Sequence, residues 1–146
     1  MKSYPIFFLS VLFVLSSFSP QTNFDKDTKI LMSAKIVSSE ESVNVLFFTD
    51  GSYSLQKLKN GTETNSKSLM LSESELKTLE KLIARAKPLV LKSTYTCIEK
   101  KVNKTNATLY YFGKSKKTVI VNNDCQSNTK LNNIRAFVDK ILKDDL

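Results

Sequence analysis

The chain has 146 residues, of which 41% are hydrophobic and 25% are charged, and it carries a formal net charge of +8 with no histidine. This composition is typical of one globular domain and excludes a disordered or fibrous protein. Without histidine, Ser-His-Asp and Cys-His nucleophilic arrangements and the usual histidine metal sites are excluded. The positive charge favours solubility and attracts anionic partners, but it does not specify which partner.

Residues 1–17 have the pattern of a secretory signal peptide. Lys2 gives a basic start, a largely apolar run covers residues 6–15, and small residues follow. The run is too short to span a bilayer of ~30 Å at ~1.5 Å per residue without its flanks. We therefore expect export to the periplasm or the extracellular space; the alternative is an uncleaved membrane anchor. Residues 18–29 are predicted to be a polar linker, and residues 30–146 a single globular domain.

The first predicted elements of this domain are strands. Residues 30–37 predict one strand, and the pair Asp50 and Gly51 predicts a two-residue hairpin turn between two more. The turn sets a register with four apolar side chains on the core face: Leu46, Phe48, Tyr53 and Leu55. Val45 and Phe47 then lie on the opposite face. There they are either covered by a neighbouring segment or form an exposed contact patch.

A polar segment and a helix follow the hairpin. Residues 59–68 predict a polar loop, because they lack apolar side chains. Ser72 and Glu75 match a capping box, in which each side chain satisfies a backbone amide of the other residue. Apolar residues then recur at helical spacing until Pro88. The pattern predicts a helix over residues 73–87.

The second half returns to strands and ends in a helix. Strands are predicted within residues 94–102, 107–113 and 116–122, with a hairpin turn at residues 113–116. The turn predicts three cross-strand pairs: Phe112 with Lys117, Tyr110 with Val119, and Leu109 with Ile120. Residues 128–142 predict an amphipathic helix. The order strands, helix, strands, helix predicts an α+β fold, a two-layer sandwich of mostly antiparallel sheet and two helices.

The two cysteines, Cys97 and Cys125, are predicted to form a disulfide, because an exported chain folds in an oxidising compartment. Closing a loop of about 28 residues contributes about 3 kcal/mol through chain entropy. The alternative is two buried free thiols.

Catalytic chemistry has little support in the sequence. The only glycines are Gly51, Gly61 and Gly113, so neither a phosphate-binding P-loop nor a dinucleotide-binding glycine motif is present. The acidic residues are explained by helix starts, a turn and the C-terminal tail. We therefore predict no enzymatic activity, no cofactor, no nucleotide and no metal site. A hydrolase that uses only carboxylates is the third and least supported hypothesis.

A binding function remains. The first hypothesis is an inhibitor or adaptor that binds a protein partner in the cell envelope or outside the cell. The second is a binder of an anionic polymer or cell surface, through lysines in and near turns: Lys100, Lys101, Lys104, Lys114, Lys116 and Lys117. The alternative for these lysines is that they keep the turns soluble and deter pairing at sheet edges.

Overall fold

Seven strands and two helices make up the part of the chain described by a computed structural model, residues 28–97, 106–123, 125–126 and 128–145. The strands are β1 Ile30–Val37, β2 Glu41–Phe48, β3 Ser52–Lys59, β4 Thr62–Met70, β5 Thr94–Thr96, β6 Ala107–Phe112 and β7 Lys117–Asn122. The helices are α1 Glu73–Ala86 and α2 Thr129–Asp145. None of the helices in these residues is long and apolar enough to cross a membrane.

All seven strands belong to one sheet, in the order β4-β3-β2-β1-β6-β7-β5. Every neighbouring pair is antiparallel except β5 and β7, which run parallel. β1 joins the two halves, because it pairs with β2 on one side and with β6 on the other. The α+β class and the order strands, helix, strands, helix are confirmed.

The hydrophobic core lies between one face of the sheet and the two helices. Phe47 of β2 is fully buried, with its ring centroid 5.6 Å from that of Tyr53 and 6.2 Å from that of Phe137 in α2. Alternate residues of the strands and one stripe of each helix complete the core. Its largest fully buried side chains include Met32, Phe47, Leu55, Leu79, Phe112, Val119, Ile134 and Val138.

The β2–β3 hairpin has a register that differs by one residue from the predicted one. Phe47 pairs with Tyr53 and Val45 pairs with Leu55, whereas a two-residue turn places Leu46 opposite Leu55. Because side chains alternate between faces, a shift of one residue exchanges the two faces of β2. Val45 and Phe47 are therefore core residues, 1% and 0% exposed, and form no contact patch. Leu46 lies on the opposite face.

The shift arises in the loop between the two strands. The loop has one more residue than predicted, and Gly51 takes a φ of 86° while Asp50 keeps a negative φ. The Asp50 carboxylate accepts hydrogen bonds from the backbone N–H and the hydroxyl of Ser52, at 2.9 and 2.6 Å. These bonds hold the pKa of Asp50 below its usual value, the hydroxyl contributing most. They also stabilise the longer loop, whose conformation differs from that of a two-residue turn.

Residues 59–68 contain the end of β3, a tight turn and most of β4 rather than the predicted loop. Lys59 pairs with Thr62 across a two-residue turn in which Asn60 and Gly61 have φ values of 50° and 78°. Two consecutive positive φ values are typical of the type I′ turn that joins tight hairpins. β4 lies at the edge of the sheet and is mostly exposed. It therefore needs few apolar side chains, which is why its polar sequence suggested a loop.

The predicted helix start and the predicted disulfide are both confirmed. Ser72 caps α1, and the reciprocal hydrogen bonds between Ser72 and Glu75 form a complete capping box. Cys97 and Cys125 are joined by a disulfide with a Cα–Cα distance of 5.2 Å. Since Cys97 follows β5 and Cys125 follows β7, the bridge ties together the ends of the two parallel strands.

Candidate functional site

Both helices pack on one face of the sheet, and we call the opposite face the open face. Cross-strand pairing arranges it in three rows. The first row is Thr96, Asn122, Ala107, Val37, Ser42, Leu58 and Glu63. The second is Thr94, Ile120, Leu109, Lys35, Asn44, Gln56 and Ser66. The third is Thr118, Tyr111, Ser33, Leu46, Ser54 and Ser68. None of these residues belongs to the core described above.

The open face is rich in hydroxyl and amide side chains and poor in charge. Among the described residues of this face only Lys35 and Glu63 are charged, although 25% of the whole chain is charged. Leu46, Leu109 and Tyr111 lie on it half-buried, without a helix above them. Depletion of charge with scattered apolar and aromatic side chains is typical of the central part of a protein–protein interface.

A groove of about 660 Å³ crosses the open face over β1 to β4. A chain of hydrogen bonds runs along it: Gln56 Nε2 donates to the Glu63 carboxylate at 2.5 Å, and Asn44 Nδ2 donates to Gln56 Oε1 at 3.2 Å. Because a carboxylate only accepts, Glu63 fixes the orientation of Gln56, which in turn fixes that of Asn44. Asn44 Oδ1 is left buried with no hydrogen-bond partner among the described residues.

The predicted anion-binding lysines are only partly within the described residues. Lys114 and Lys116 are exposed in the β6–β7 turn, and Lys117 begins β7. Lys117 Nζ donates to the Ser93 hydroxyl at 3.0 Å, which places the exposed Lys92 at the same end of the sheet. The remaining three, Lys100, Lys101 and Lys104, lie outside the described residues. The second hypothesis therefore stays a prediction, although four lysines meet at one end of the sheet.

A second cavity, of about 430 Å³, lies between α2 and strands β6 and β7. Arg135 spans it: Nη1 donates to the hydroxyl of Thr108 at 2.6 Å, and Nε donates to the carboxylate of Asp139 at 2.8 Å. Thr108 is 2% exposed and buried among apolar residues. The guanidinium therefore satisfies a buried hydroxyl and supports the packing of α2.

No set of side chains within the described residues suggests metal chemistry, because no three or more Cys, Asp or Glu side chains there are placed to hold an ion. Comparison with protein-family models, with curated proteins and with solved structures finds no match. Within the described residues, the open face is an extended sheet surface without a helix packed on it.

The open face is only partly predictable from the sequence. The predicted pairing of Leu109 with Ile120 is confirmed. The sequence does not predict that this pair lies on the face away from the helices. Both residues are apolar, and the alternation of apolar and polar residues along their strands is weak. The polar residues of β4 complete the face, and the Asn60-Gly61 turn was the available signal for that strand.

Proposed function

We propose that the protein is an exported, non-catalytic binding module whose open face contacts a protein partner, as an inhibitor or adaptor does. The observation that carries this proposal is the extent of the low-charge sheet surface on which no helix of the described residues packs. Seven strands at a spacing of about 4.8 Å extend about 29 Å, and six residues along a strand extend about 20 Å. The resulting area of about 600 Å² approaches the ~800 Å² that each partner buries in a standard interface.

The charge distribution supports a protein partner for this face rather than a polyanion. The chain carries a formal charge of +8, but the described residues of the open face include one lysine and one glutamate. A polyanion is attracted by clustered cations, and the three rows of the open face contain no such cluster. Hydroxyl, amide and tyrosine side chains instead provide the adaptable hydrogen bonding and the rigid contact area found in protein-recognition surfaces.

The acidic groups with perturbed pKa values have structural roles, which supports a non-catalytic function. The Ser52 hydroxyl lowers the pKa of Asp50 within the hairpin loop, and the Ser72 hydroxyl lowers the pKa of Glu75 at the start of α1. Burial raises the pKa of Tyr53, which also donates a hydrogen bond to Asp145. None of these groups lies on the open face.

The test compares two double variants in a binding experiment. Oxidised protein of residues 18–146 is immobilised and used to capture proteins from the culture and envelope fractions of the source cells. Leu109→Glu with Tyr111→Glu places two charges on the open face. Thr78→Glu with Ala84→Glu places the same two charges on exposed positions of α1. Urea unfolding verifies that both variants are folded.

The proposal predicts one discrete protein that binds the wild type and the α1 variant and remains bound in about 0.5 M salt, where charge-driven contacts are screened. With the purified partner, the open-face variant should bind at least about a hundredfold more weakly, since two unpaired charges in an interface cost several kcal/mol. Equal affinity of the two variants for that partner would exclude the open face as the contact surface.

A further inference from the structure

Two adjacent apolar side chains are strongly exposed at the end of α1. Leu89 and Val90 are 75% and 74% exposed, and they lie in the 3-10 turn Pro88–Val90. Single exposed hydrophobic residues are normal on a protein surface. Two neighbouring ones at this level of exposure, in an ordered turn, are a feature that core packing does not explain.

Backbone hydrogen bonds and a buried neighbouring residue fix the turn that carries Leu89 and Val90. Lys87 ends α1 in the left-handed conformation, with φ 52°, and its carbonyl accepts from the Val90 N–H at 3.0 Å. The next residue, Leu91, is 6% exposed and belongs to the core. Its N–H donates to the Pro88 carbonyl at 3.2 Å. Leu91 thus anchors a turn whose two preceding apolar side chains face solvent.

Lysines surround this turn. Lys87 and Lys92 flank it in the chain, and the hydrogen bond from Lys117 to Ser93 brings the β6–β7 turn beside it. Val90 and Ser93 are three residues apart, so their Cα atoms lie within about 11 Å. Five lysines therefore lie at this end of the molecule: Lys87 and Lys92 beside the exposed pair, and Lys114, Lys116 and Lys117 in and directly after the β6–β7 turn. Among the described residues none of the five forms an ion pair with a carboxylate.

We infer that this end of the molecule, residues 87–92 with the β6–β7 turn, docks on an anionic phospholipid surface. An exposed apolar pair at the same end of the molecule as several cations matches the boundary between lipid headgroups and acyl chains. Leu89 and Val90 enter that boundary, while the lysine ammonium groups contact the lipid phosphates. A polyanion such as nucleic acid or acidic polysaccharide uses the lysines but leaves the apolar pair in water.

This inference concerns a surface other than the open face and does not depend on the proposed protein partner. The Lys117 end of the sheet and the groove over β1 to β4 are different parts of the molecule. Docking by the lysine end orients the module at a membrane and leaves the open face available. Failure of either proposal therefore leaves the other standing.

The test measures co-sedimentation of oxidised protein of residues 18–146 with phosphatidylcholine vesicles, with and without phosphatidylserine. One variant is Leu89→Ser with Val90→Ser, and Met70→Ser is its control, because Met70 is 66% exposed elsewhere. The other is a triple lysine-to-glutamine variant at exposed positions of the docking end: Lys92, Lys114 and Lys116. Its control makes the same change at exposed positions of β3 and α1: Lys59, Lys77 and Lys81.

The wild type and both controls should bind the anionic vesicles and should release as salt rises. Each lysine near an anionic surface changes the affinity about fivefold, so the triple variant should bind about a hundredfold more weakly than its control. Loss of two apolar side chains should weaken binding about thirtyfold or more. Wild-type binding to neutral vesicles at equal strength, or binding unaffected by Leu89→Ser with Val90→Ser, would overturn the inference. If Leu89→Ser with Val90→Ser leaves vesicle binding unchanged, retention of the wild-type protein on immobilised heparin would identify it as a polyanion binder.

Discussion

Truncation of Phe47 is the most direct test of which face of β2 is buried. Phe47 is 0% exposed, and its ring contacts those of Tyr53 and Phe137. Removing a fully buried phenylalanine ring costs about 3–5 kcal/mol. Leu46, the next residue in the strand, is half-buried on the open face. We expect Leu46→Ala to cost less, about 1 kcal/mol, since part of that residue is already in water and no helix packs on its face.

The expected difference between the two variants is large enough to measure by either chemical or thermal unfolding. For a domain of roughly this size, 1 kcal/mol changes the melting temperature by about 4 °C. Phe47→Ala should therefore lower it by about 12–20 °C. Leu46→Ala should lower it by about 4 °C.

The assay is urea unfolding of oxidised protein, followed by far-UV circular dichroism, with the slope checked to be equal among variants. The predicted two-residue turn instead places Leu46 on the core face and Phe47 on the opposite face, which favours the reverse order of the two costs. A larger loss of stability in Leu46→Ala than in Phe47→Ala would refute the register described above.

Three further predictions concern stability. Replacing both Cys97 and Cys125 by serine should cost about 3 kcal/mol in urea unfolding, and reduction of the wild type should cost a similar amount; an unchanged urea midpoint in the double variant would contradict this. Gly113→Ala should cost about 2 kcal/mol or more, because a Cβ there lies 1.8 Å from the backbone oxygen of Ile30; an unchanged urea midpoint would contradict this. A hydrogen bond from the Ser72 hydroxyl at the N-cap lowers the pKa of Glu75 below its usual value. The ionised carboxylate therefore stabilises the fold at pH values above its usual pKa, and this contribution is lost as the pH falls through the lowered pKa. Glu75→Gln should lower the free energy of unfolding at neutral pH and leave it unchanged in strong acid. An equal effect at the two pH values would exclude the capping hydrogen bonds as the cause.

Elements with a local chemical signature could be predicted from the sequence. Ser72 and Glu75 specify a helix start through their own hydrogen bonds, and the structure shows the same capping box. The β6–β7 pairs were predictable, because the turn at residues 113–116 and the alternation of Tyr110 and Phe112 agree on one register. In these cases local hydrogen bonding and burial favour the same conformation.

Elements whose local sequence is compatible with two conformations could not be predicted in this way. Asp50 and Gly51 suit both a two-residue turn and a longer loop, and the hydrogen bonds of Asp50 to Ser52 select the latter. β4 has no apolar alternation, because an edge strand is exposed on most sides. The open face depends on strand order across the whole sheet, and single-strand patterns carry no information on which strands become neighbours.

The most direct measurement of the central claim is a hydroxyl-radical footprint of the protein, free and in complex with the captured partner. In the free protein, Leu46 and Tyr111 should be oxidised readily and Phe47 should be protected, following their burial. On binding, Leu46 and Tyr111 should become protected while exposed residues of α1, such as Lys81, should not. Protection of α1 with unchanged oxidation of Leu46 and Tyr111 would contradict the assignment of the open face as the binding surface.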